Sequence, residues 1–458
     1  MLEYDVIVLG GGTAGANAAR TAAKEGAKTL LIHNSDYINL CVERGCMPSK
    51  SLLASSEMVL HGEMKADMEK ILERKDRHVE RFLKGILESF EVDPYDVWEG
   101  EASFLAQERG ISVELSTGEK REAHADRYVI ATGSKTSIPP IPGIEDANYL
   151  TSDDLMENKL TKIPSSIVII GGGPIGLEFA TFFSNLGTDV TLIEQGKLLP
   201  RFDPEFGEIM REALEAKGIV VLEETKVVGV ESTTRSSDVS FEKRGEKKKE
   251  TCKAEVLLIA TGRAPNTEGL KVKNIALNVK KGGPLVCDDA MCTGVSNVYA
   301  AGDVTRTIQL LHAAAWEGRV AGFNAAHGAD VGHVDFDFLS MSVIFSDPRV
   351  AHFGLSVSEA KERGKRFVVS SINFPETGRA ITMGVEHGRW QLVVEKGTGK
   401  ILGSTIVGPQ ADELIHQPFL VQQLAGTVDR VAELYAYHPT LSEQFINLAK
   451  DAAEKRFS

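Results

Sequence analysis

The chain has 458 residues, a net charge of -14 and a pI of about 5.4, which exclude nucleic acid and anionic membrane as its main partners. No run approaches the ~18 apolar residues of a membrane span. With 42% hydrophobic and 25% charged residues, the composition is that of a soluble globular protein. The length suits about three domains of roughly 150 residues each.

The opening "MLEYDVIVLGGG" runs directly into a strand pattern with no signal peptide, so a cytoplasmic, reducing compartment is expected. "VIVLGGGTAG" ends that strand in Gly-x-Gly-x-x-Gly, with Gly10, Gly12 and Gly15 at the fingerprint positions. The first glycine allows a tight turn, the second lets a pyrophosphate approach the backbone, and the third packs helix on strand. The free N–H groups and dipole of the helix start then face the phosphates. A second strand, "TLLIH", ends at His33, about 20 residues on, where a ribose-binding acid normally stands. Asp36 is an alternative acceptor close by.

"NLCVERGCMPSK" then places Cys41 and Cys46 five residues apart, followed by Pro48 and Lys50. The pair reads as a redox couple, a metal clip or two buried small residues. The spacing is wide for a zinc knuckle and no second ligand pair follows, so no metal site is expected. Five cysteines is an odd number, and in cytosol a disulfide is more often catalytic than structural. Residues 51–92 carry helical spacing, and "YVIATGSKTSIPPIPG" reads as strand, glycine turn and proline-rich crossover.

The chain then repeats itself. "IVIIGGGPIG" carries Gly171, Gly173 and Gly176 in the same strand-turn-helix frame, and "TLIE" ends at Glu194 in the ribose position. Two copies in context point to two dinucleotide sites. A 2′-phosphate would meet the Glu194 carboxylate, and only Lys197 follows it, so NAD is expected over NADP. "EKRGEKKKE" at 242–250 reads as a solvated hairpin tip. "CDDAMC" sets Cys287 and Cys292 at the same spacing as the first pair, but without its glycine and Pro-Ser-Lys tail, so both read as structural, as does Cys252. "NVYAAGDV" is a strand whose turn carries Asp303 toward a polyol or ribose. From about Phe336, alternating segments suggest an antiparallel sheet, with helices around "HPTLSE".

Taken together, "GGGTAG", "CVERGCMPSK", "ATGS", "GGGPIGLE", "ATGRAPNT", "AAGDV" and "HPTLSE", in this order, resemble the flavoprotein pyridine nucleotide–disulfide oxidoreductases over nearly the whole chain, most closely the dihydrolipoamide dehydrogenases. The resemblance implies an α/β protein. Two Rossmann-like dinucleotide-binding domains, for FAD (1–148 and 271–335) and NAD (149–270), precede a C-terminal α+β dimerisation domain (336–458). It implies a homodimer. For FAD it implies Gly10, Gly12, Gly15, His33, Lys50, Thr132, Gly133, Ser134, Gly302 and Asp303; for NAD, Gly171, Gly173, Gly176, Glu178, Glu194 and Gly262. Cys46 would be the thiol beside the flavin and Cys41 the interchange thiol. Glu178 would pair with Lys50. His438 and Glu443 would serve as the acid-base pair at the other subunit's disulfide.

On this reading the cysteine spacing has a physical sense. Residues five apart in a regular helix are displaced by roughly 7.5 Å along the axis, whereas a disulfide wants Cα atoms about 4.4–6.8 Å apart. The turn must therefore be distorted, and Gly45 permits it. A strained, accessible disulfide is the reducible kind. The chain also departs from the family. Ile38-Asn39-Leu40 replaces Gly-Gly-Thr, His33 replaces the acid, and Glu43-Arg44 replaces an uncharged pair. Arg20 reads as a surface charge or as a contact for a substrate carboxylate.

The implied reaction is dihydrolipoamide plus NAD+ to lipoamide plus NADH, on a small dithiol or a protein-bound lipoyl group. The alternatives are an NADH-dependent reductase of another disulfide or of a metal ion, or a flavoprotein subunit of a multienzyme complex. No cysteine pair follows Phe457, which weighs against a mercury-type reductase.

Overall fold

The structure is a computed structural model describing residues 2–33, 38–106, 110–246, 248–277, 279, 283–305, 308–329, 331–336 and 340–457. Its first parallel sheet is built on the strand Leu2–Leu9, flanked by Thr29–His33 and Lys120–Ile130, with Asp96–Phe104 and Val298–Ala300 beyond them. Val6 to Leu9 are all buried, the apolar run expected of a strand covered on both faces. The long strands Asp96–Phe104 and Lys120–Ile130 continue past the parallel sheet and pair antiparallel with Gly110–Leu115.

The second sheet repeats the plan. Ser166–Ile170 is central, between Asp189–Ile193 and Val256–Ile259, with Val220–Leu222 and Leu150–Thr151 outside. An antiparallel three-stranded sheet over 225–254 stands where the first unit has its own antiparallel extension. The repeat reaches single hydrogen bonds. Gly10 N–H donates to the Ile32 carbonyl at 2.7 Å, as Gly171 does to Ile193 at 2.8 Å. Ala131 N–H donates to Leu9 and Ala260 N–H to Ile170, both at 2.8 Å. Both fingerprint turns therefore leave the sheet at the same place, at the carboxyl ends of the strands, where open α/β sheets bind ligands.

The third unit is a five-stranded antiparallel sheet from Ser342–Ile344, Arg349–Gly354, Ile401–Gly408, Arg389–Glu395 and Phe367–Asn373, in that spatial order. The helix Glu443–Lys455 covers it, with Phe445 stacked on the fully buried Trp390 at 6.0 Å. The expected hairpin tip joins strands Ser237–Lys243 and Lys249–Ala254; residue 247 lies outside the described residues.

The first fingerprint helix, Thr13–Lys24, packs against Leu311–His327. A Cβ on Gly318 would lie 2.2 Å from the Ala14 carbonyl oxygen, and one on Gly322 equally close to that of Ala18. Two glycines about a turn apart thus let the helix backbones touch. The same closeness sets the Gly302 turn against Ala14, within 2.9 Å of its Cβ for any side chain at 302. Gly318→Ala should therefore destabilise the protein by about 1–3 kcal/mol through overpacking against backbone. Gly85→Ala, in the helix Met68–Val92 with open space around it, should stabilise by roughly 0.8–1 kcal/mol. Denaturant midpoints of the two variants, read side by side, check both signs.

Candidate active site

The two cysteines do not share one helix. Asn39 caps a short helix, Leu40–Glu43, by accepting Val42 N–H at 3.3 Å. The chain then breaks at Arg44 and Gly45, and a new helix, Cys46–Leu60, begins at the second cysteine. A Cβ on Gly45 would lie 2.9 Å from the Leu40 carbonyl oxygen, so the sharp turn needs glycine. Both cysteines stand as free thiols. A hydrogen bond from Cys41 draws the Cys46 thiol down to about 7, against the opposing effect of burial and with help from the Lys50 charge. Cys41 is pushed up by that same bond and by burial. The start of a helix favours a thiolate for a further reason, its free N–H groups and dipole. The pair is therefore asymmetric, with one sulfur ready to carry charge and the other holding the proton.

The loop before the cysteines is held by an unexpected residue. Glu43 Oε2 accepts the N–H groups of Ile38 and Asn39, both at 2.8 Å. Arg44 pairs with Glu157 at 2.8 Å, just past the helix Ser152–Met156. The buried Lys75 holds the same segment through the Met156 carbonyl and Asn158 Oδ1, the latter at 2.7 Å. Glu43 and Arg44, the two charged departures in the redox loop, thus both work as fasteners.

Lys50 and Glu178 meet as expected, with Lys50 Nζ 2.8 and 2.9 Å from the two carboxylate oxygens. Phe345, from the C-terminal unit, donates its N–H to Glu178 at 3.1 Å. Lys50 and Glu178 face a cavity of about 310 Å³ that also meets Cys41, Cys46, Gly12 and Asp303. A smaller cavity of about 120 Å³ adjoins it, lined by Gly10, Gly12, Thr132, Gly133, Ser134 and Glu101 among others. The two share Gly12, Leu40, Ala131 and Gly133, making one trough along the fingerprint turn.

Ser134 donates to Asp303 at 2.7 Å and receives Arg263 Nε at 2.9 Å. Gly302, beside Asp303, has a φ of 77° and donates its N–H at 2.7 Å to the fully buried Glu317. His33 is buried with its ring stacked on Phe90 at 5.8 Å and does not line the smaller cavity, where the acids are Glu101 and Glu268. Asp36 lies outside the described residues. In the second fold, Gly173 caps its helix without a side-chain bond, Gly171 has a φ of 110°, and a Cβ on Gly176 would strike the Gly171 oxygen at 1.8 Å. Gly262 has a φ of 96° in open space. Glu194 accepts the N–H groups of Gly172 and Gly196, each at 2.7 Å, so its carboxylate is pinned at the turn.

His438 and Glu443 are paired, Nδ1 to Oε2 at 2.9 Å, with the histidine side chain 75% exposed. They do not meet the cysteine cavity of their own chain. Thr440 also accepts Glu443 N–H at 3.2 Å, so "HPTLSE" caps a helix as well as presenting an imidazole. Arg20 is a partly exposed charge held by Asp93 at 2.7 Å. Burial pushes Cys252 up to about 11 and Cys287 up to about 12, the marks of inert thiols. Among the described residues no group of three or more His, Cys, Asp or Glu could hold a metal ion, and no helix is long and apolar enough to cross a membrane.

Sequence reasoning noted Glu43 only as a departure in the loop and missed Arg263, Glu317 and Phe345. Of these three, Arg263 had a signal, since it stands inside the "ATGRAPNT" motif. The trough suits the implied flavin dinucleotide. The helix Thr13–Lys24 has no side-chain cap at Gly12, where a Cβ would find open space, so its first N–H groups are left for a diphosphate.

Residues 4–318 match the family described as pyridine nucleotide-disulphide oxidoreductase, and residues 340–449 match its dimerisation domain. Dihydrolipoyl dehydrogenase of Bacillus subtilis is 32% identical, covering 96% of both chains. Mercuric reductase of Staphylococcus aureus is 30% identical over 96% of this chain and 81% of its own. Among solved structures, the Cu(II) complex of the HOCl-induced flavoprotein disulfide reductase RclA from Escherichia coli superposes with a TM-score of 0.85. It is 26% identical and covers 98% of this chain and 99% of that one. The chain is a member of the pyridine nucleotide-disulphide oxidoreductase family, FAD-containing enzymes that use a nicotinamide dinucleotide.

Proposed function

We propose that the protein is a dithiol–disulfide oxidoreductase that exchanges electrons between NAD(H) and a small dithiol, with dihydrolipoamide as the favoured substrate. The observation that carries this is the asymmetric Cys41/Cys46 pair, its low thiol at a helix start beside Lys50, in the cavity onto which both fingerprint turns open. FAD, when bound, supplies two-electron transfer between that pair and the nicotinamide. In our reading the units divide at 1–148 with 271–335, 149–270 and 336–458, in the cytoplasm.

The chain's own residues account for the thiol chemistry. His438 of a second copy takes a proton from one substrate thiol at Nε2, while Glu443 steadies Nδ1 and the imidazolium, as the acid of a triad does. The substrate thiolate attacks Cys41 of the oxidised pair, and Cys46 leaves as a thiolate, which its surroundings favour. The second substrate thiol then attacks the mixed disulfide, forming the substrate's own disulfide. The proton of that second thiol passes to the departing Cys41 sulfur, which leaves as a thiol, and the His438 imidazolium gives the first proton to solvent. Protons, electrons and sulfur–sulfur bonds balance at each step.

Reduction of another disulfide or of a metal ion is the second reading. The charged Glu43-Arg44 pair and the mercuric reductase among the relatives favour it. Turnover on a panel of lipoamide, other disulfides, Cu(II) and Hg(II) decides between them. A larger kcat/KM for lipoamide supports the first reading, and a larger value for an ion or another disulfide selects the second.

Two predictions follow from named residues. Glu194 is pinned where a 2′-phosphate would come, and juxtaposed like charges cost several kcal/mol. NADH should therefore exceed NADPH in kcat/KM by at least about tenfold; parity or an NADPH preference would sink the assignment. The exposed His438 further predicts a site completed across a homodimer. Mixing inactive Cys41→Ser with inactive His438→Ala subunits should restore roughly a quarter of wild-type activity. About half the dimers are then mixed, each with one intact site of two. If mass spectrometry shows exchange and activity stays at background, His438 does not serve the other copy.

A further inference from the structure

The C-terminal unit reaches the redox site inside its own chain, independently of His438. It does so through Phe345, just past the strand Ser342–Ile344. The Phe345 N–H donates to Glu178 Oε1 at 3.1 Å, and its half-buried ring lies under Lys50 Nζ, 4.7 Å from the centroid. A second cation, Arg349, stands 6.0 Å from the same ring. Arg349 is itself anchored by Asp412 at 2.8 Å and by Glu57 at 3.3 Å, and Glu57 belongs to the helix that Cys46 begins. The ring is thus seated between a fastened guanidinium and the lysine whose carboxylate partner faces the cysteine cavity.

We propose that Phe345 is a positioning residue for the redox site, its ring face holding the Lys50 ammonium at Glu178 beside Cys46. This rests on the reading of Lys50 and Cys46 as working members of the site. The physics is that of an ammonium over the negative face of an aromatic ring, strongest where water is partly excluded. Glu178, with a long 3.4 Å bond from Lys50 Nζ to the neighbouring Ser49 Oγ, would leave the ammonium free to swing toward solvent. The ring adds a further, non-ionic support from another part of the chain, so the cation stays where it counters a developing thiolate. Cys41, Lys50 and Glu178 are the titratable groups that act on Cys46, and of the charged two only Lys50 favours its ionised form.

The test uses FAD-loaded Cys41→Ser protein, in which Cys46 is the one thiol of the pair. Its thiolate-to-flavin absorption band is titrated with pH. Phe345→Leu in that background should weaken thiolate formation about threefold, the size of one modest cation–π contact, moving the midpoint upward. Phe345→Tyr should restore it. Replacing Phe345 by phenylalanines of increasing fluorination keeps the shape while draining charge from the ring face, and should move the midpoint stepwise in the same direction. That series keeps the proposal testable if Phe345→Leu fails to fold. An unmoved midpoint across the fluorinated series, with Lys50→Met still shifting it, overturns the role of Phe345. If Lys50→Met also leaves it unmoved, the reading of Lys50 falls, and the proposal with it.

Discussion

Lys50 and Glu178 meet where three parts of the chain come together. Lys50 lies one turn into the helix that begins at Cys46, Glu178 lies in the helix of the second fingerprint, and Phe345 arrives from the antiparallel sheet. Glu178 is buried, and a buried carboxylate is tolerated only when its lone pairs are answered. Two contacts to the ammonium and one backbone N–H answer them. Apolar packing between units would tolerate sliding; directional bonds to a buried charge do not. The lysine is partly exposed, so the pair adds less to stability than a dry pair would. Its larger effect is to fix the second fingerprint fold against the cysteine pair.

Around that point the redox loop is built from charges where the family uses small or neutral residues. Glu43 turns back to take two loop N–H groups, and Arg44 reaches forward to Glu157. Backbone donors that would face a diphosphate in a glycine-rich loop are instead satisfied by the protein's own carboxylate. The fingerprint helix keeps its first turn without a side-chain cap at Gly12, where there is open space. Helix dipole and backbone N–H groups suffice to bind a phosphate without a basic side chain.

The shared scaffold explains why relatives with different names are nearly equally similar, at 32% identity to a dihydrolipoyl dehydrogenase and 30% to a mercuric reductase. In this chain both fingerprint turns open onto the cavity that holds the cysteine pair. In the function proposed above, what reaches Cys41 is decided at the open side of the cavity, where a second copy would add His438. Fold likeness alone cannot choose a substrate when selectivity lies in that outer layer.

Much of this protein was legible in its sequence because the relevant physics is local. A glycine fingerprint needs its turn whatever surrounds it, so both dinucleotide folds, their repeat and the Cys41-x-x-x-x-Cys46 turn could be read from spacing. The Lys50–Glu178 partnership came instead from the family resemblance, and the structure makes it. The tertiary structure decided what depends on distant segments. Glu317 under Gly302, Phe345 on Lys50, Arg263 on Ser134 and Lys75 on Met156 join residues far apart in sequence, and no periodicity announces them. The same holds for His33. Its position along the chain suggests a ribose contact, and its ring stacks on Phe90 of the long helix, a neighbour the motif does not announce. A motif specifies the backbone that a ligand meets, whereas the direction of a side chain is settled by its neighbours in space.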